Sequence, residues 1–234
     1  LGGIAGGIAV KLAEGSETIT AMKQAGSGTV RVAAITSGIS GLLVRAVPAF
    51  TQQHPQVQVH VLESPVDQWP LLLAAREVDL AICREPEVLP AGHVFHRLLH
   101  DHFVVACGPG HPLAGREAVR WRRLANELWL PSPVGTTARD QFDRLMAEAQ
   151  VQPRICQVVT RTPALTWALL RSRRMLTLVP RGVVRQLVEA EQLALIGVEP
   201  TLRFRPLGVV LPEQGLSIAA SRFVAALQAC ADAD

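Results

Sequence analysis

The chain has 234 residues, 49% of them hydrophobic, a formal net charge of +3 and four cysteines. That length and apolar content fit one large or two small α/β domains and exclude a disordered chain. The basic residues are almost all arginine, with Lys11 and Lys23 the only lysines, and a charge this small, spread along the chain, does not amount to a nucleic-acid footprint.

Residues 1–27 open with an apolar, glycine-rich run that Lys11 interrupts well short of a bilayer span. No cationic stretch precedes it, so a secretory signal is not supported. Ile8, Leu12, Ile19 and Met22 then recur at roughly helical spacing. From Gly28 the residues Val30, Val32 and Ala34 alternate with Thr29, Arg31 and Ala33, the period of a strand. Thr36-Ser37-Gly38-Ile39-Ser40-Gly41 breaks the alternation, and Leu42, Leu43, Val47 and Phe50 restart at helical spacing until His54-Pro55. A strand that delivers hydroxyls to a helix start is either an anion site or an ordinary capped turn.

The same unit recurs. Val57–Glu63 alternates as a strand ending at Ser64, and residues 67–77 have a helical pattern. Val78–Cys83 is a short buried strand with Arg84 directly after it. Three successive strands therefore end in Thr36/Ser37, Ser64 and Arg84, and ligands of open α/β sheets bind outside strand carboxyl ends. Further on, Phe103–Cys107 reads as a strand and Gly108-Pro109-Gly110-His111-Pro112 as a hinge candidate. A strand at Leu128-Trp129-Leu130 leads through Ser132 and Thr136 into a helix over about 138–149, with Asp140 in its first turn. Ile155–Thr160 alternates, and Thr162-Pro163 opens another helix as N-cap and first position. Met175–Val179 is a buried strand, Pro180 begins a helix, Leu193–Val198 and residues 206–211 read as strands, and the last helix covers about 216–230.

Little else points to catalysis. Gly38-Ile39-Ser40 lacks the closing glycine of a nucleophile elbow, and no phosphate-binding loop or dinucleotide fingerprint follows a strand. His93, His96, His100 and His102 are dense but match no zinc spacing. Cys83, Cys107, Cys156 and Cys230 make no CxxC and mostly occupy apolar runs, as reduced buried thiols do. The expectation is no metal, no cofactor and no enzyme.

From Gly28 onward the chain resembles the effector-binding domain of LysR-type transcriptional regulators. The resemblance rests on GTVRVAA, FTQQHPQVQVHV, EVDLAI, FVVACG followed by GHPLAG, and LTLVP before a helix, in that order. PSPVGTT and TPALTWALLRS are most similar to regulators near the protocatechuate and galactose-binding-protein branch. Ser172-Arg173-Arg174 departs from the Gly-Leu-Gly-like turn frequent in the family.

The resemblance implies a two-lobed, periplasmic-binding-protein-like (type 2) α/β fold, two Rossmann-like subdomains joined by two crossover strands. Residues 1–27 would belong to a linker helix, 28–107 with 206–234 to subdomain I, and 108–205 to subdomain II. It further implies a small effector, expected to be a carboxylate, held in the interlobe cleft by Thr36, Ser37, Ser64 and Arg84 of one lobe and Ser132, Thr136 and Thr162 of the other. The expected setting is a cytoplasmic homodimer or homotetramer, self-associating through residues 42–53. It would have no membrane contact and would reach promoter DNA through a helix-turn-helix domain absent from this chain. A solute-binding protein of a transporter and an enzyme on the same fold are the alternatives.

Overall fold

The computed structural model describes residues 28–65, 68–198, 202–203 and 205–232. The expected linker segment, 1–27, lies outside the described residues. In chain order the strands are β1 Gly28–Ala34, β2 Val57–Glu63, β3 Leu80–Arg84, β4 His93–Leu99, β5 His102–Cys107, β6 Leu128–Trp129, β7 Arg154–Ile155, β8 Met175–Pro180, β9 Ala194–Ile196, β10 Leu202–Arg203 and β11 Leu207–Pro212. Helix α1 runs through an α-helical turn Thr36–Gly38, a π-helical segment Ile39–Leu43 and an α-helical segment Val44–Gln53. It is followed by α2 Trp69–Ala74, α3 Trp121–Leu124, α4 Thr137–Glu148, α5 Pro163–Ser172, α6 Arg181–Glu189 and α7 Ile218–Asp232.

Among the described residues two compact units result: 28–99 together with 207–232, and His100–Pro206. In unit 1 the sheet order is β2-β1-β3-β11-β4. β1 pairs in parallel with β2 and β3, and β11 runs antiparallel to β3 and β4. Both faces of β1 are covered. Val30, Val32 and Ala34 pack with Leu42, Phe50, Phe223 and Leu227 under α1 and α7, while Ala33 packs with Ala81, Cys83, Val210 and the α2 residues Trp69 and Leu73. Phe50 and Phe223 meet edge-on, ring centroids 5.0 Å apart. Asp79 fixes the β1–β3 pairing: its carboxylate accepts from the Arg31 backbone N at 2.7 Å and from Arg31 Nη2 at 2.7 Å.

Unit 2 has the order β10-β5-β8-β6-β7, with β9 also on β5. β6, β7 and β8 are parallel and β5 opposes β8. Phe103, Val105, Trp129, Phe142 and Leu145 fill one face, and Val104, Ala106, Leu130, Leu170 and Val184 fill the other. Trp129 is fully buried and donates from Nε1 to Leu124 O at 2.8 Å.

Several expectations change here. The division between the units falls at Leu99/His100, not after Cys107, because β5 is built into the second sheet. Gly108 is therefore inside unit 2. A Cβ on it would lie 2.3 Å from the Leu170 carbonyl oxygen, so the residue serves close packing against α5. His93–Leu99 is a strand, which the sequence pattern did not give. The strand expected over 155–160 reduces to Arg154–Ile155, and the helix expected over 67–77 to Trp69–Ala74. Leu43 and Phe50, within the segment 42–53 expected to carry self-association, are buried in the unit 1 core at 3% and 1% exposure.

Candidate functional site

The carboxyl ends of β1, β2 and β3 lie side by side, with Ala34 opposite Glu63 on one flank and Ile82 on the other. Ser64 N donates to Ala34 O at 2.9 Å and Ile35 N to Ile82 O at 3.1 Å, so the alignment extends past the strand ends. Thr36, Ser37, Ser64 and Arg84 thus share one edge of unit 1. Ile35 is extended, and α1 starts directly on this edge. The first N–H groups of a helix have no acceptor within it and carry the positive end of its dipole. Gly38 lets the helix start sit this close, since a Cβ there would come within 2.6 Å of Ile82 Cγ2. Ser37 and Ser64 are buried; Thr36 and Arg84 are half-buried. The chain also leaves unit 1 after Leu99 and re-enters at Leu207, opposite each other and beside Arg84 in the register.

Glu63 is the residue that the sequence reading missed. It ends β2 on the candidate edge, and Thr36 Oγ1 donates to its Oε1 at 2.6 Å. By strand alternation Glu63 shares the α1 face of the sheet with Leu80, Ile82 and Arg84. The edge therefore carries a carboxylate acceptor as well as a guanidinium. The available signal was its position as the last residue of an alternating strand, one step before Ser64.

The residues expected in unit 2 gather on the equivalent edge. β6 and β7 end opposite each other at Trp129 and Ile155, and Leu130 and Cys156 extend the pairing. Ser132 follows, half-buried. Thr136 caps α4: its Oγ1 accepts from Arg139 N at 3.3 Å and donates to Pro133 O at 2.8 Å, so its hydrogen-bonding capacity serves the helix start. Thr162 stands at the N-cap of α5 without a side-chain cap bond, exposed, its N–H bound by Thr160 Oγ1 at 3.0 Å. The start of α6 is answered within the unit, where Asp101 Oδ1 accepts from Gly182 N at 3.3 Å.

The thiols offer no chemistry to the site. All four cysteines are free, and burial pushes the Cys83 thiol up to about 12 and the Cys107 thiol up to about 11. With the division at Leu99, Cys107 joins Cys156 in unit 2, but the two lie in cores on opposite faces of its sheet. Among the described residues no three His, Cys, Asp or Glu side chains come together as a metal site, and no helix is long and apolar enough to cross a membrane.

The profile of the LysR substrate binding domain family matches residues 23–231. The chain belongs to this family. The LysR substrate binding domain is 22% identical over 225 residues to the HTH-type transcriptional regulator GbpR of Azospirillum brasilense, covering 94% of this chain and 66% of that protein. It thus spans about two thirds of that relative's length. Among solved structures, the Synechocystis CcmR regulatory domain in complex with 2-PG superposes with a TM-score of 0.71 at 20% identity, covering 88% of this chain and 98% of that one. The effector binding domain of QuiR in complex with shikimate gives 0.68 at 18% identity, with the same coverages. The two-lobed periplasmic-binding-protein-like fold class is that of these neighbours.

Proposed function

We propose that this LysR substrate binding domain is the sensing part of a transcription regulator whose effector is a small metabolite bearing a carboxylate or similar anion. The observation that carries the reading is the edge of three parallel strands on which Arg84 stands beside Thr36, Ser37, Ser64 and the start of α1. A guanidinium at a strand end suits a planar carboxylate through two parallel hydrogen bonds. Glu63 already takes the Thr36 hydroxyl and repels an anion there. Anion anchoring then falls to Arg84 and Ser64, and Glu63 is left to accept from a hydroxyl or amine of the same ligand. In unit 2, Ser132 and Thr162 offer neutral hydroxyls, while Thr136 acts as a helix cap. The carboxylate of shikimate, bound by QuiR, is the chemistry this reading expects.

The regulator is proposed to be cytoplasmic, to act as a homodimer or homotetramer, and to reach promoter DNA through a helix-turn-helix portion like that for which GbpR is named. Effector binding then shifts a population of states that DNA distinguishes. The outer face of α1 with the sheet edge β2 is the proposed self-association surface, since Val44, Val61 and Leu62 are 40%, 43% and 49% exposed. Sedimentation at micromolar concentration showing only monomer contradicts that assignment. The effector reading is tested by thermal shift against a panel of hydroxy and aromatic acids and their amides. Acids at about a hundredfold over Kd stabilise by about 2.7 kcal/mol. If amides stabilise the protein and acids do not, the anion reading fails.

A further inference from the structure

The +3 charge of the chain is not evenly held. Residues 100–206 contain fifteen arginines, no lysine and nine acidic residues, whereas the rest of the chain has eight basic and eleven acidic residues. Unit 2 is strongly basic and the remainder acidic. Within unit 2 the topology concentrates the charge at one end. Leu128 pairs with both Arg154 and Met175, so the amino ends of β6, β7 and β8 are adjacent, spaced about 5 Å apart. Arg173 and Arg174 immediately precede β8, Arg171 lies in the last turn of α5, and Arg122 and Arg123 lie in the last turn of α3, which leads into β6. With Arg154 these six side chains are all exposed. They occupy the end opposite Ser132, Thr136 and Thr162.

Ordinary complementation of two helix carboxyl termini explains Arg122, Arg123 and Arg171. It does not explain Arg154, Arg173 and Arg174, which lie outside helices. Among the described residues Arg122, Arg123, Arg154, Arg173 and Arg174 form no ion pair. Two carboxylates share this end, Glu127, 3.6 Å from the buried His111 Nε2, and Glu148 in the last turn of α4, and neither pairs with these arginines; Glu189 is held by Arg185, and Glu191 precedes β9, two strands from β8. Six exposed guanidiniums without acidic partners repel one another and attract a polyanion.

We propose that this end of unit 2 is a docking surface for the phosphate backbone of duplex DNA. The basic turn Ser172-Arg173-Arg174, where the family resemblance leads one to expect glycines, becomes part of that surface. The choice of DNA as occupant rests on the regulator reading above; the surface itself does not. Phosphate is matched by arginine forks in two-point contacts, and the contact is independent of base sequence. It supplements whatever a helix-turn-helix reads and would tie the sensor to DNA flanking the operator.

The test is fluorescence anisotropy of a labelled 20-base-pair duplex of arbitrary sequence, titrated with the 234-residue chain from 50 to 200 mM salt. Four to six phosphate contacts give a log–log salt slope of about −4 to −5 and a loss of two to three orders of magnitude over that range. Arg173→Glu with Arg174→Glu should weaken binding at least tenfold and flatten the slope by about 2. Arg76→Glu with Arg222→Glu, an equal charge change in unit 1, should stay within twofold. Circular dichroism checks folding, and Arg154→Ala gives a milder second readout, with a slope change of about 1. Equal losses in the Arg76/Arg222 control, no binding at 50 mM salt, or capture of an acidic peptide in place of the duplex would each overturn the proposal. Effector binding measured on the same variants stays intact if only the docking surface is at issue, and so keeps failure of this proposal distinct from failure of the sensing one.

Discussion

Gly108→Ala is the sharpest probe of how unit 2 is packed. The added Cβ would sit 2.3 Å from Leu170 O, 3.2 Å from Leu170 C and 3.3 Å from Arg171 Cα. All three are backbone atoms of the last turns of α5, so no side-chain rotation relieves the clash. Either α5 or the end of β5 must move by about 1 Å, and both are anchored. Leu170 is fully buried, and Cys107, just before the glycine, pairs with Leu176 of β8. Overpacking of this kind costs about 1–3 kcal/mol, and rigid atoms on both sides place the cost near 3. For a chain of this size that lowers Tm by roughly 6–12 °C. Gly110→Ala is the matched control, since no atom lies within 4 Å of a Cβ there. Thermal melts followed by tryptophan fluorescence suit the question, because Trp121, Trp129 and Trp167 lie in unit 2 and only Trp69 lies in unit 1. If Gly108→Ala melts with the parent, or if Gly110→Ala falls as far, the packing account of this turn is wrong.

Two further outcomes follow from buried titratable groups. Burial raises the Cys83 and Cys107 thiols to about 12 and about 11, so the unfolded chain releases those protons first as pH rises; stability should fall from about pH 9 upward, and a thiol reagent at pH 8 should leave both unmodified until denaturant is added. His111 has its pKa lowered, first by burial and further by Arg174, with Glu127 opposing. Its Nδ1 accepts from Leu113 N at 3.2 Å. Here the unfolded chain takes up the proton first, so stability should decline as pH drops below about 6.5, and His111→Gln should flatten that limb in urea titrations at pH 5 and 7. An unchanged limb assigns it to other groups.

What the sequence made legible was local. β1 and the hydroxyl turn after it were readable because alternation and its interruption are properties of a dozen neighbouring residues. The helix start was not, because α1 begins at Thr36 through a π-helical segment that carries Ile39 to Leu43 out of the usual period. β4 escaped because it is an edge strand with no buried residue, His96 and Arg97 exposed and the others half-buried, held by β11 from more than a hundred residues away. At Gly108 the sequence leaves two meanings open, because glycine signals both a bend and a close approach, and only the position of α5 decides between them. Glu63 gained its meaning from Thr36, a contact across two strand ends. The segregation of charge was hidden in a net value, since the acidic remainder of the chain offsets the arginines of unit 2.

The central claim is that Arg84 anchors an anionic effector at the carboxyl edge of β1, β2 and β3. It is tested most directly by calorimetric titration of the most stabilising acid of the panel into the parent protein and into Arg84→Ala. Loss of a charge-assisted contact is worth about 1.5–3 kcal/mol, so affinity should fall roughly ten- to a hundredfold while the far-ultraviolet spectrum stays that of the parent. A folded Arg84→Ala protein that binds the acid as tightly as the parent would contradict the account.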